Sequence, residues 1–237
     1  MRVITIGSGK GGVGRSTVTA NLGAALAEKG EKTLVIDANL TSPNIALFFK
    51  LEKVPHTLND ALDGNSTIEE VLYDGPDGLK IAPAGLTLDK IRKSNPKRLP
   101  RLINEQVNGF DFVLIDAPDG LRQETISALS AGEELLEVAI PELTAISDAM
   151  KTKVASEFLN LKPLGLILNQ IRAEDYELSI EEIKEIMNLP ILGKIPYDKK
   201  VRMALKEGEL LIKKYPNSPA SKEIKNIAEK LIEKEED

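Results

Sequence analysis

The sequence predicts an α/β fold with a mainly parallel central sheet flanked by helices on both faces. Three observations carry that expectation. Short runs rich in Val, Ile and Leu recur along the chain, and most are continuously apolar rather than alternating, as strands buried on both faces are. Helical patterns separate these runs, and strand-then-helix alternation builds parallel sheets. A glycine-rich turn joins the first run to the first helix.

Taken in order, Val3–Ile6 is the first expected strand and Ser16–Lys29 the first helix, with Gly30 as its stop. Thr33–Ile36 and Leu79–Ala82 follow as strands. A helix over Lys97–Val107 leads to the strand Phe112–Ile115, the helix Gln123–Ala131 and the strand Leu135–Ile140. The helix Ala145–Leu159, the strand Leu164–Leu168, the helix Ile180–Met187 and the strand Ile191–Ile195 continue the alternation. Near the end, Ile224, Ile227, Ala228, Leu231 and Ile232 recur at helical spacing. No repeat, low-complexity tract or linker divides residues 1–237, so one domain is expected.

Composition narrows the chemistry. There is no Cys, which excludes disulfide scaffolds, thiolate catalysis, iron–sulfur clusters and Cys-ligated zinc. The single histidine, His56, follows a proline in an expected loop and argues against a Ser-His-Asp triad. A net charge of −6 argues against a wholesale nucleic-acid coat. No run approaches the ~18 apolar residues of a membrane helix. The start moves straight into a strand with no signal-peptide anatomy, so a cytoplasmic protein is expected.

The first strand runs into Gly7-Ser8-Gly9-Lys10-Gly11-Gly12-Val13-Gly14-Arg15-Ser16-Thr17, and a helix follows. Strand, glycine-rich loop and helix together make the context of a phosphate cradle. Glycines let backbone N–H groups approach phosphate oxygens without a Cβ clash, and the helix N-terminus adds its positive dipole end. Ser16 has a hydroxyl where such loops supply a Mg²⁺ ligand. The candidate phosphate-binding residues are therefore Gly9, Lys10, Gly11, Gly12, Val13, Gly14, Arg15, Ser16 and Thr17. A glycine-rich turn without a ligand is the competing reading.

The same loop resembles the deviant Walker A motif of the MinD/ParA group of P-loop ATPases, in which a lysine precedes paired glycines and Lys-Thr/Ser closes the loop. The resemblance covers almost the whole chain. It implies the P-loop NTPase-type fold, ATP or ADP and Mg²⁺ as ligands, and an ATP-dependent homodimer. It makes Lys10 the signature lysine that reaches the nucleotide of the partner subunit. Arg15 stands where the group has its P-loop lysine. A guanidinium keeps the charge, but it is planar and larger than an ammonium.

Asp37 and Asn39 end the second strand, where the group carries Asp-x-Asp and the second carboxylate positions the attacking water. Asp37 is thus a candidate catalytic and metal residue, unless it only caps the following turn. Asn39 can hydrogen-bond water but cannot accept its proton. Asp116, after the apolar run Phe112-Val113-Leu114-Ile115, matches the Walker B acid beside Mg²⁺. Pro118 and Gly120 match a turn that senses the γ-phosphate. Asp119 between them is expected to point outward, because an inward carboxylate would repel that phosphate.

In the group, an Asn matching Asn169 reads the adenine edge, and the loop containing Pro196 and Asp198 closes over the base. Glu142 and Asp148 resemble acids that face the partner subunit, although exposed loop acids are ordinary. The basic cluster Lys90, Arg92, Lys93, Lys97, Arg98 and Arg101 reads first as a solvated helix entry; it could also face an anionic membrane, an acidic partner or DNA, and nucleic acid is possible but otherwise unsupported. The acidic end Glu233-Lys234-Glu235-Glu236-Asp237 disfavours stable membrane binding through the tail, so its stripe is expected in the core. The resemblance implies an ATP- and Mg²⁺-binding switch with an unidentified protein partner, used in spatial organisation of division, chromosomes or surface structures. Arg15 and Asn39 predict slow or lost hydrolysis. A metabolic ATP-dependent ligase or small-molecule kinase of the same fold is the alternative.

Overall fold

The computed structural model describes residues 1–87 and 94–233. The strands are β1 (Arg2–Gly7), β2 (Thr33–Asp37), β3 (Tyr73–Asp74), β4 (Lys80–Ala82), β5 (Phe112–Asp116), β6 (Glu134–Ala139), β7 (Lys162–Ile171) and β8 (Ile191–Pro196). They form one eight-stranded sheet in the order β3-β4-β2-β5-β1-β6-β7-β8. Only the β3–β4 pairing is antiparallel. The helices are α1 (Arg15–Glu28), α2 (Ile45–Phe49), α3 (Leu58–Asp63), α4 (Leu99–Gln106), α5 (Gln123–Ala131), α6 (Leu143–Phe158), α7 (Ile180–Met187), α8 (Lys199–Lys206), α9 (Leu211–Lys214) and α10 (Pro219–Glu233).

Period-two side-chain alternation splits the strand residues between two apolar layers. Ile4, Ile6, Phe112, Leu114, Leu136 and Val138 pack with α1, α9 and α10. Val3, Val113 and Ile115 pack with α3, α4 and α5 on the other face. Both faces are covered, which is why the strands read as unbroken apolar runs. The tail stripe lies in the first layer: Ile224, Ile227, Ala228 and Leu231 are buried, and Ile232 packs against them. At the β8 edge, α10 supplies side chains to the strand backbone. The N–H of Lys194 donates to Glu223, and Lys230 Nζ donates to the Leu192 carbonyl, both at 2.8 Å.

Every expected strand and helix is present, with ends that move by a few residues. The strand expected at Leu164–Leu168 runs on to Ile171, and the helix expected from Lys97 begins at Leu99 after a 3-10 turn over Pro96–Arg98. The elements not anticipated are β3, α2, α3, α8 and α9. They are short, and end groups rather than periodicity define several of them. A capping box between Thr57 and Asp60 starts α3, and the Asp198 side chain caps α8. Lys90, Arg92 and Lys93 lie outside the described residues. Of the rest of that cluster, Arg98 donates to the Leu62 carbonyl and Arg101 pairs with Glu105. No helix among the described residues is long and apolar enough to cross a membrane.

Candidate nucleotide site

Four neighbouring strands, β2, β5, β1 and β6, end along one edge of the sheet. Asp37 pairs in register with Asp116, Asp116 with Ile6, and Gly7 with Glu137. Asp37 and Asp116 therefore stand side by side on the α1 face at the carboxyl ends of the strands, beside the turn that leaves β1, while Glu137 lies beyond β1 on the opposite face. Connections diverge to either side of β1, and such a switch point is where open α/β sheets take ligands.

The loop after β1 is shaped by contacts that leave no room for side chains. A Cβ on Gly9 would lie 2.0 Å from the Asp148 carbonyl carbon, so the loop rests directly on α6 backbone. Gly14 has φ 88°, and a Cβ there would meet Asn169 Nδ2 at 2.3 Å. That Nδ2 donates to the Val13 carbonyl at 2.7 Å, and Gln170 Nε2 donates to the Gly12 carbonyl at 3.0 Å. The start of α1 has no side-chain cap, so its first N–H groups open into the cleft above.

A cleft of about 290 Å³ lies along Lys10–Thr17 and is bounded by Asn39, Asn44, Phe48 and Asp119. A second, of about 210 Å³, lies along Asn169, Pro196, Asp198 and Arg202. Gly12, Gly14, Thr17 and Leu205 line both, making a continuous trough. The sequence-predicted phosphate and base residues are thus brought to the two ends of one groove.

Arg15 turns downward. Its Nε lies 3.0 Å from Asp116 Oδ1 and its Nη1 donates to Ser8 Oγ at 2.9 Å. Asp116 also accepts from Thr19 Oγ1 at 2.9 Å and from Ser16 Oγ at 2.7 Å. Asp37 accepts from the backbone N–H groups of Asn39, Asn44 and Ile45, at 3.0 to 3.1 Å, and so shapes the turn into α2. Burial and the charge of Asp116 push its carboxyl up to about 8, against the pull of those N–H bonds. The Asn39 amide closes a two-way pair with the Ser42 backbone, at 2.7 and 3.2 Å.

Lys10 sits at the rim, 3.1 Å from Thr144 Oγ1 and 3.6 Å from Glu142 Oε2. Asp148 pairs with Lys151 at 2.8 Å. Asp119 corrects an expectation: it is solvated, but it leans inward. Its Oδ2 lies 3.3 Å from where a Gly11 Cβ would be, on the phosphate side of the groove. Gly120 beside it has φ 71°.

Sequence reasoning missed Thr19, Thr144, Arg202 and Glu137. Glu137 had a signal, an acid inside the apolar run Leu135–Ala139. It is fully buried, neither carboxyl oxygen has a partner, and burial raises its carboxyl well above the ordinary value.

The residues present fit a Mg²⁺–nucleotide. Ser16 Oγ and Asp116 converge as a hard-oxygen pair beneath an open helix N-terminus. Asp198 presents a buried Oδ2 without a partner at the base end.

A ParA family model, described as an NUBPL iron-transfer P-loop NTPase, matches residues 1–232. Iron transfer does not follow from that match, because this chain has no cysteine to bind iron. An uncharacterized ATP-binding protein of Methanocaldococcus jannaschii is 39% identical over 229 residues, covering 97% of this chain and 87% of the relative. The septum site-determining protein MinD of Pyrococcus horikoshii, solved with Mg-ADP, is 35% identical with a TM-score of 0.93, covering 97% and 95% of the two chains. The MinC:MinD cell division complex of Aquifex aeolicus contains a chain 30% identical with a TM-score of 0.87, covering 98% and 96%. Matched along almost its whole length by the family model and by MinD relatives, the chain belongs to the ParA/MinD family of P-loop ATPases.

Proposed function

We propose that this protein is a MinD-like switch that binds ATP or ADP with Mg²⁺ over a single domain spanning residues 1–237. It dimerises on ATP and hydrolyses slowly or not at all. The observation that carries the slow step is the pairing of Arg15 with Asp116. The cation at the P-loop lysine position is committed to the acid beside the metal, rather than projecting over the loop.

In this reading the N–H groups of the Gly9–Thr17 loop bind the phosphates, and Ser16 and Asp116 hold Mg²⁺, with Asp37 behind them. When bound, Mg²⁺ would neutralise charge on the phosphate oxygens. Asn39, its amide tied at both ends to Ser42, cannot take the proton of the attacking water, which costs on the order of 10²-fold or more in rate. At the base end, Asn169 Oδ1 and Asp198 Oδ2 both accept, which suits the two hydrogens of the adenine amino group; Pro196 lines the wall. Lys10 leaves Thr144 and Glu142 to reach the nucleotide of the partner subunit.

The Mg-ADP bound to the Pyrococcus relative and the MinC bound to the Aquifex relative support a nucleotide ligand and a protein partner. The process is spatial organisation in the cell, of division, chromosomes or surface structures. The burial of the tail stripe supports its role in core packing rather than in membrane binding, in a protein we place in the cytoplasm.

Gel filtration with ATP, ADP and Mg²⁺, paired with a turnover assay, tests this reading. An ATP-specific dimer with little phosphate release is expected. A monomer with ATP and Mg²⁺ would sink the switch, and turnover only with a third substrate would establish the ligase or kinase class.

A further inference from the structure

Asp119 is the carboxylate that the proposed function leaves without a task. Among the described residues it is the one acid that lines the cleft along the phosphate loop. Asp37 and Asp116 are fully buried and line no part of that cleft. Their oxygens are already engaged: Asp37 accepts from three backbone N–H groups, and Asp116 from Arg15, Ser16 and Thr19. Asn39 lines the cleft but is 5% exposed, with both ends of its amide held by the Ser42 backbone. The Asp119 side chain makes no hydrogen bond or ion pair among the described residues, so both of its oxygens remain open to what enters.

Its place in the trough is at the end away from the base. Gly12, Gly14 and Thr17 line both clefts, whereas Lys10, Gly11, Asn39 and Asp119 line the first alone. Asp119 Oδ2 lies 3.3 Å from where a Gly11 Cβ would stand, so it reaches the part of the loop that the outermost phosphate of a triphosphate would occupy. The strand order β2-β5-β1 sets the loop that carries Asp119, after β5, between the loop that carries Asn39 and the phosphate loop. Two neighbouring strand ends therefore offer one space an amide that is tied back and a carboxylate that is not.

We propose that Asp119 is the general base of ATP hydrolysis in this chain, acting from the β5 loop on the water that Asn39 cannot deprotonate. The proposal rests on the reading of the trough as an ATP site and makes Asp119 the source of its slow turnover. The water oxygen bonds to the γ-phosphorus, and the bond from that phosphorus to the β–γ bridging oxygen breaks, its electron pair leaving with ADP. The water proton passes to the Asp119 carboxylate and from there to solvent. A base must come within about 2.6–3.2 Å of the proton-bearing atom. An exposed side chain that nothing holds meets that geometry in few of its rotamers, which keeps the step slow. The same charge repels the outermost phosphate, so the base is kept at a cost in ATP affinity.

The test is single-turnover hydrolysis of ATP with Mg²⁺ by wild type, Asp119→Asn and Asn39→Asp/Asp119→Asn, with calorimetry of a non-hydrolysable ATP analogue alongside. Asp119→Asn should lower the rate by about 10²-fold, the lower end of what a general base contributes, while the analogue binds as tightly as to wild type or more so. Asn39→Asp cannot donate to the Ser42 carbonyl as the amide does, which releases the new carboxylate into the cleft. The double variant should therefore recover at least about tenfold over Asp119→Asn, a rescue from the opposite wall that a merely structural role would not give. Asp119→Asn hydrolysing at the wild-type rate, or a wild type that binds the analogue without any turnover, would overturn the base while leaving nucleotide binding intact. No binding heat at all would remove the ATP reading and this proposal with it.

Discussion

Arg15 Nε lies 3.0 Å from Asp116 Oδ1, and the two side chains are 8% and 0% exposed. The position that a P-loop reserves for a cation on the phosphates is occupied here by one that neutralises the acid beneath them. Asp37 lies in register on the next strand, so this guanidinium is the cation beside two buried carboxyls.

Removing that cation should be expensive. Arg15→Ala leaves Asp116 buried without its counter-charge, and breaking such a pair costs about 3–5 kcal/mol. Urea denaturation should read that loss in the absence of nucleotide. A loss below about 1 kcal/mol, typical of exposed pairs, would show that water already screens the site.

Turnover should respond to the two family departures together. Asn39→Asp restores a carboxylate at the water, and Arg15→Lys restores a compact ammonium. Because both act on one transition state, the double variant should exceed either single change, with effects that do not add. ATP affinity should change little. Wild-type turnover equal to that of the double variant would refute the impaired switch.

In the proposed dimer, Lys10 exchanges Thr144 and Glu142 for the nucleotide of the other subunit. Lys10→Ala should therefore weaken ATP-dependent dimerisation more than the affinity of the monomer for ADP. Sedimentation and ADP titration measured side by side decide it. Equal losses in both would place the ammonium on its own nucleotide.

Asp119 leans toward Gly11 on the phosphate side of the groove and sets a like charge against a third phosphate. Asp119→Ala should raise the affinity for ATP relative to ADP by about tenfold at low salt, and less as salt screens the pair. An unchanged ratio would mean that the carboxylate swings out when nucleotide binds.

Glu137 also governs stability against pH. Its folded carboxyl is raised above 4.5, so the native state keeps a proton that the unfolded chain gives up. Stability therefore falls as pH rises from about 4.5 toward the folded value. Asp37, raised from 3.8 to about 8, adds to the same slope. Glu137→Gln should flatten the decline above about pH 4.5, as read by denaturation midpoints. A curve parallel to wild type would show that Glu137 ionises freely in the folded chain.

Sheet and main helices were legible because their apolar runs are long enough for period and length to agree. The five-residue α2 and the two-residue β3 were not, since so few positions carry no period. In the site, Ser16, Asp116 and Asn169 were legible from the strand-end and loop positions they occupy. Directions of side chains were not. Arg15 reads as a phosphate cation in one dimension, and only the register Ile6–Asp116 shows the acid that draws it down. Likewise, the position of Asp119 beside Gly11 in the groove is a side-chain direction that composition does not encode.

The α10 side chains on β8 have a consequence for how copies of this chain meet. An open strand edge is a template for another strand, and chains joined that way grow into fibres. Glu223 and Lys230 occupy a donor and an acceptor of that edge, and the opposite edge ends in a strand of two residues. Neither border offers a long template, so the sheet resists lateral polymerisation. The reversible dimer proposed above, formed through the loops over the carboxyl ends of the strands, then has no competitor at either border.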